Sequence, residues 1–228
     1  MISAIVTEFH TIPVLFENEE IIAVDKPEKL SSIPERNREK ISLLKILSDH
    51  FQRKFFVVHR LDKQVSGVIL FAKNPETHRY LNLQFEQRKV HKTYLALVHG
   101  TIEENFGVIE APLRRFGSGR MGEDRTRGKP CRTEFSVMDR FADYTLVRVD
   151  PLTGRKHQIR AHFFNLGHPI VGDTLYGDKS LQKTFPRLML HALRVQFLSP
   201  AGVEIRIESP SEGTFGDFLS LCRSRTRS

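Results

Sequence analysis

The sequence predicts an α+β fold: a mostly antiparallel, mixed β-sheet with flanking helices. Three observations lead there. Apolar runs of strand type dominate the chain, with helical stretches interspersed among them. The two kinds of run do not alternate regularly, as they would in a doubly wound parallel sheet. The chain has 228 residues, 39 % of them hydrophobic and 27 % charged, which is enough to bury a core without disulfide or metal staples.

Taken in order, residues 14–16 and 21–25 read as a β-hairpin turning through Glu17-Asn18-Glu19-Glu20, with Lys26-Pro27 ending the second strand. Residues 41–51 place Leu43, Leu44, Leu47 and Phe51 at helical spacing. Two apolar runs, 55–58 and 68–71, bracket the loop His59-Arg60-Leu61-Asp62-Lys63-Gln64-Val65-Ser66-Gly67 and hold Asp62 at a strand edge. Asn74-Pro75 supplies an N-cap and a first-turn proline for a helix running to about Arg88. Residues 91–98 form a buried strand with Tyr94, Ala96 and Val98 on one side. Segments 108–109, 131–138 and 144–149 continue the sheet. Thr153-Gly154 is expected to open a helix whose apolar stripe is Ile159, Phe163 and Leu166, capped by Gly167. Residues 188–198 and 203–207 add strands, and 212–222 a last short helix.

The formal charge is +8, an excess that favours a polyanionic partner because neutralising phosphates releases counterions. Residues 114–129 concentrate it, with six basic groups, two acidic ones and four glycines. They read as a flexible basic loop suited to a phosphate backbone. The basic tail 223–228 fits a frayed, flexible end equally well. Gly117-Ser118-Gly119-Arg120-Met121-Gly122 matches GxGxxG by letter, but no strand leads into it and no helix follows. The histidines show no ligand spacing; His157 and His162 stand five apart, so they do not share a helix face as HExxH requires. Cys131 and Cys222 stand alone, which excludes a zinc ribbon and a disulfide framework and makes a reducing cytoplasm the default. No apolar run reaches membrane-helix length, and the N-terminus lacks the pattern of a secretory signal. Arg155, Lys156 and Arg160 crowd an expected helix start, where cations oppose the helix dipole. That becomes sensible if an anion docks nearby.

Three segments together resemble the RluA-type family of RNA pseudouridine synthases. The first is His59-Arg60-Leu61-Asp62 with Ser66-Gly67 and Ala72-Lys73. The second is the strand Lys92-Thr93-Tyr94-Leu95-Ala96-Leu97-Val98. The third runs from Thr153-Gly154-Arg155 through His162 to Gly167-His168-Pro169-Ile170-Val171-Gly172-Asp173 and Tyr176-Gly177, followed by Leu190-His191-Ala192. Val24-Asp25-Lys26-Pro27 resembles a further family turn. Two positions depart from the pattern. Val65 stands where the family has threonine, and Lys29 where it has glycine, so that turn must avoid positive φ or carry strain.

The resemblance implies the pseudouridine synthase fold, with a central RNA-binding cleft, as a single catalytic domain over residues 1–228 and without an S4 domain. It implies isomerisation of particular uridines in tRNA or rRNA to pseudouridine, without metal or cofactor, by a cytoplasmic monomer that needs no membrane. The target base must leave its stack to be reached. Asp62 would be the catalytic carboxylate and Arg160 the partner that keeps it ionised. Tyr94 would stack on the extruded uracil, with Leu190 as the opposite apolar wall. Arg60 would fill the vacated space or hold the adjacent backbone, and Arg114, Arg115 and Arg120 would hold the RNA backbone. The alternative is a non-catalytic RNA-binding or RNA-remodelling protein on the same scaffold.

Overall fold

The structure, a computed structural model, describes residues 4–6, 11–35 and 41–226. Parts of the N-terminal stretch and the last two residues of the basic tail lie outside them. Along the chain run β1 (Ala4–Val6), β2 (Thr11–Glu17), β3 (Ile21–Lys26), α1 (Leu43–Phe51), β4 (Phe56–Val57), β5 (Ser66–Ala72), α2 (Pro75–Glu86) and β6 (His91–His99). Then come β7 (Phe106–Glu110), β8 (Leu113–Arg115), β9 (Met121–Glu123), β10 (Arg132–Arg140), β11 (Tyr144–Pro151) and α3 (Gln158–Asn165). The chain closes with α4 (Lys179–Gln182), β12 (Leu190–Leu198), β13 (Glu204–Glu208) and α5 (Thr214–Thr226). The class is α+β, as the sequence predicts. The described residues form two compact units, one holding those up to 92 with 192–210, the other 93–191 with those from 211 on.

In the first unit the strand order is β1-β2-β3-β5-β12, with β13 on β12 and β4 on β5. The pairs β1–β2, β2–β3, β3–β5, β4–β5 and β12–β13 are antiparallel. β5 is buried along its whole length, which is what its unbroken apolar run encodes. Gly67 makes its start possible: φ is +113°, and a β-carbon there would stand 2.2 Å from the Ala192 carbonyl oxygen. The hairpin turn is fixed by Asn18, whose Oδ1 accepts from the N–H groups of Glu20 (2.9 Å) and Ile21 (2.8 Å). Helix α1 begins at the N-cap Ser42 and buries Leu43, Ile46 and Leu47, one stripe of an amphipathic helix. Helix α2 begins at Asn74, whose side chain accepts from Thr77 N–H, with Pro75 in the first turn. Buried Gln84 then bonds both backbone groups of Leu198 (2.7 and 3.0 Å), and Tyr80 donates to Ser199 O (2.9 Å).

In the second unit β6, β11, β10 and β7 form an antiparallel array. Helix α3 packs on β9, β10 and β11. It starts at Gln158, later than the sequence suggested, because the buried Gln158 side chain organises the preceding turn. Its Oε1 accepts from Thr153 Oγ1 (2.7 Å) and Arg155 N–H (3.0 Å), and its Nε2 donates to Arg132 O (3.0 Å) and Thr133 Oγ1 (2.9 Å). His157, just before the helix, takes the left-handed conformation (φ 52°). Arg155 and Lys156 therefore precede the helix and are exposed. Leu166, expected in the apolar stripe, is exposed too.

Residues 114–129, read as a flexible loop, are instead a folded hairpin of β8 and β9 followed by a tight turn. Asp124 builds that turn. Its Oδ1 accepts from Arg127 N–H (2.8 Å), Thr126 N–H (3.0 Å) and Thr126 Oγ1 (2.8 Å), and its Oδ2 from Arg114 Nη1 (3.0 Å). The Arg127 N–H, followed by the other donors, holds this carboxyl below the usual carboxylate range. The GxGxxG letters fall across the tip of this hairpin, with no helix after them. The final helix continues past 222 to Thr226, so tail residues 223–226 are helical.

Candidate active site

Asp62 sits in the first unit, partly buried, in the loop between β4 and β5. The chain on either side of it is pinned. Buried Ser32 donates to Leu61 O (2.9 Å) and accepts from Leu61 N–H (3.1 Å). On the other side, Lys26 Nζ donates to Lys63 O (3.2 Å) and also to Leu30 O (2.7 Å) and Pro27 O (2.8 Å). Lys26 is fully buried, a rare state for lysine that its carbonyl partners make tolerable. Val65 N–H closes a turn on Asp62 O (3.0 Å). The loop thus holds the Asp62 backbone through direct bonds to both adjacent residues. Val65, where the resembled family has a hydroxyl, is buried. Lys29 has φ 65°, so the turn carries the strain rather than avoiding it.

His59 anchors the start of this loop. Its Nε2 accepts from Leu70 N–H (3.1 Å), and its ring stacks on Phe85 at 5.2 Å. Burial, with the Lys92 charge adding to it, lowers the imidazole from 6.5 to about 3. The ring is therefore neutral, which the acceptor role of Nε2 requires. Burial likewise lowers Lys92 to about 8. Arg60 lies in the same loop and is exposed.

Tyr94, Arg160, Leu190 and the hairpin arginines belong to the second unit. Tyr94 is half-buried on β6, opposite Val149 of β11. Leu190 is buried at the start of β12, where Arg187 Nη2 reaches its carbonyl (3.4 Å). Arg160 is buried in the first turn of α3 and forms a bidentate pair with Asp173, Nε to Oδ2 at 2.7 Å and Nη2 to Oδ1 at 2.8 Å. Asp173 also accepts from Leu175 and Tyr176 N–H (3.0 and 3.2 Å). An anion at this helix start, which the misplaced cation called for, is thus supplied by the chain itself. Tyr176 covers the pair, with the guanidinium 5.2 Å from its ring centre. Its hydroxyl accepts from Met121 N–H (2.8 Å) and meets His157 Nδ1 (3.1 Å), tying β9 to the Arg160 cluster. His162 is a core residue: its Nδ1 lies 2.9 Å from Thr133 Oγ1 and its Nε2 3.1 Å from Ala111 O.

Arg114 and Arg120 are partly exposed and Arg115 fully so, all around the β8–β9 hairpin. Sequence reasoning gave no role to Lys26, Ser32, Asp173, Tyr176 or Arg187. Lys26, Asp173 and Tyr176 stood within recognised motifs, which was a usable signal. Ser32 and Arg187 had none: Ser32 bonds the Leu61 backbone, and Arg187 bonds the Leu188 and Leu190 carbonyls and lies over the Phe215 ring.

The profile of the RNA pseudouridylate synthase family matches residues 20–165. The chain belongs to the RNA pseudouridylate synthase family. It is 38 % identical over 214 residues to an uncharacterised RNA pseudouridine synthase of Mycoplasma pneumoniae, covering 91 % of this chain and 69 % of that one. It is 39 % identical over 191 residues to the dual-specificity RNA pseudouridine synthase RluA of Vibrio cholerae, covering 83 % and 78 %. The solved structure of human RNA pseudouridylate synthase domain containing 1 superposes with a TM-score of 0.76 at 26 % identity, over 92 % of this chain and 94 % of the other. As an RNA pseudouridine synthase the protein is an isomerase acting on RNA. Among the described residues no helix is long and apolar enough to cross a membrane.

Proposed function

We propose that this pseudouridine synthase modifies particular uridines of tRNA or rRNA, with Asp62 as its catalytic carboxylate. The observation that carries this is the clamped loop: Ser32 and the buried Lys26 fix the residues flanking Asp62. A carboxylate that must act on the ribose, at C1′ or on the C2′ proton, needs that positional precision, and a merely turn-capping aspartate does not. In the reaction the N1–C1′ glycosidic bond breaks, the uracil turns, C5 bonds to C1′, and the C5 proton is lost to solvent while N1 gains one, so that the product is an isomer of the substrate. Asp62 acts ionised at the ribose. Tyr94 stacks on the extruded base against Leu190, and its phenol assists the late proton transfer. Arg160 is held in a fixed orientation by its bidentate pair with Asp173. Arg60 occupies the space the base leaves. Arg114, Arg115 and Arg120 contact phosphates and contribute affinity more than sequence choice.

Tritium release from RNA labelled at uracil C5 tests this. The wild-type protein should release tritium from cellular tRNA or rRNA, and Asp62→Ala should lower the rate to background. Unchanged release by Asp62→Ala would remove Asp62 from the mechanism. RNA affinity retained by a wild-type protein that releases nothing would favour the non-catalytic alternative.

A further inference from the structure

The β8–β9 hairpin carries an aromatic ring that neither the core nor the proposed catalytic step uses. Phe116 follows β8 and is 42 % exposed. The hairpin tip fixes its backbone, with Phe116 N–H donating to Arg120 O (2.9 Å) and Gly119 N–H to Phe116 O (2.9 Å). The ring lies directly over Gly122: a β-carbon there would come within 2.9 Å of Cε2 and 3.2 Å of Cδ2. Glycine at 122 therefore lets the ring settle flat on the strand. The Arg114 guanidinium sits 5.4 Å from the ring centre and is itself held by Asp124. Alternation along the strands puts Arg114 and Phe116 on one face of the hairpin. The other face carries buried Leu113 and the partly buried Met121 into the core. The result is an exposed aromatic ring, fixed before any ligand arrives, beside Arg114 and Arg120, with Arg115 on the other face of the hairpin.

A pre-set ring beside cations has the chemistry of a platform for unpaired bases: a π-face for the base and guanidinium groups for the adjoining phosphates. We propose that Phe116 stacks on an unpaired nucleobase of the RNA substrate, so that the hairpin selects single-stranded or looped RNA. This rests on the reading of the protein as an RNA-modifying enzyme and names how it recognises its substrate. Stacking is tolerant of base identity, so the contact chooses unpaired structure rather than sequence.

The test uses the full-length protein and a mixed-sequence single-stranded RNA carrying 2-aminopurine in place of adenine, with an abasic strand of equal length for comparison. Wild type should quench the 2-aminopurine fluorescence and bind the base-bearing strand about tenfold or more tighter than the abasic one. Phe116→Ala and Phe116→Leu should lose the quenching and the preference, while Phe116→Trp keeps both. Leucine separates stacking from packing, because it still covers Gly122 but offers no π-face. With cellular RNA, Phe116→Ala should raise KM and leave kcat unchanged. Wild-type quenching and preference in Phe116→Leu would overturn the proposal. Tritium release by wild type keeps the two readings apart: release with no effect at Phe116 defeats the platform alone, whereas no release defeats the catalytic reading.

Discussion

Lys29 and His59 each hold a state their residue types avoid. Lys29 adopts φ 65° on the surface, where a β-carbon crowds the backbone and glycine does not. Lys29→Gly should raise stability by about 1 kcal/mol, read as a higher denaturation midpoint at unchanged m-value. His59 is neutral in the fold because burial lowers it to about 3, whereas the unfolded chain protonates near 6.5. Between those values the unfolded state binds the extra proton, so stability falls as pH drops through that window and is fully present above it. Thermal melts from neutral pH down to about 4 should show this loss of Tm. His59→Gln, which keeps an acceptor for Leu70 N–H, should flatten the slope. The strain at Lys29 was legible from the sequence, because the family pattern has glycine there. The depressed histidine was not, because its neighbours in the fold, the Phe85 ring and the Lys92 charge, lie more than twenty residues away in the chain.

Among the elements, the Asp62 loop shows how a short irregular segment is made rigid from outside. Lys26 at the end of β3 donates to three carbonyls, one of them next to Asp62. Lys26→Met fills similar volume but leaves those acceptors without their donor, so it should destabilise the fold by about 3 kcal/mol. If Asp62 is the catalytic carboxylate proposed above, tritium release should fall by about a hundredfold in protein still folded at the assay temperature, because its position over the ribose is lost. Sequence patterns revealed β5 and α2 to within about two residues at each end, because a continuous apolar run and an Asn-Pro cap are local signals. They failed at α3, where a buried glutamine from within the helix orders the turn before it. They failed again at the β8–β9 hairpin, whose three-residue strands are too short to read as a pattern and whose turn depends on Asp124.

For the molecule as a whole, a charge of +8 makes RNA binding strongly dependent on salt. Affinity for tRNA, followed by filter binding or anisotropy, should fall linearly on a log–log plot against salt. Arg115→Ala and Arg120→Ala should each reduce that slope by about one if each meets one phosphate. Both lie on an ordered hairpin, so these changes should leave Tm nearly unmoved. At this scale the fold class and the carriers of the motifs were readable from sequence. The Arg160–Asp173 pair was not, because both residues stood in recognised motifs while only the fold shows that they bind each other.

One connection made early in the fold also bears on synthesis. Helix α2 in the first unit finishes its polar bonding only on Leu198 and Ser199, and Gly67 is shaped to lie against Ala192. As the chain emerges from the ribosome, these partners appear about a hundred residues after the segments that wait for them. The segment up to 92 must therefore stay incomplete while the whole of 93–191 is translated, and β12 and β13 close a structure begun long before them.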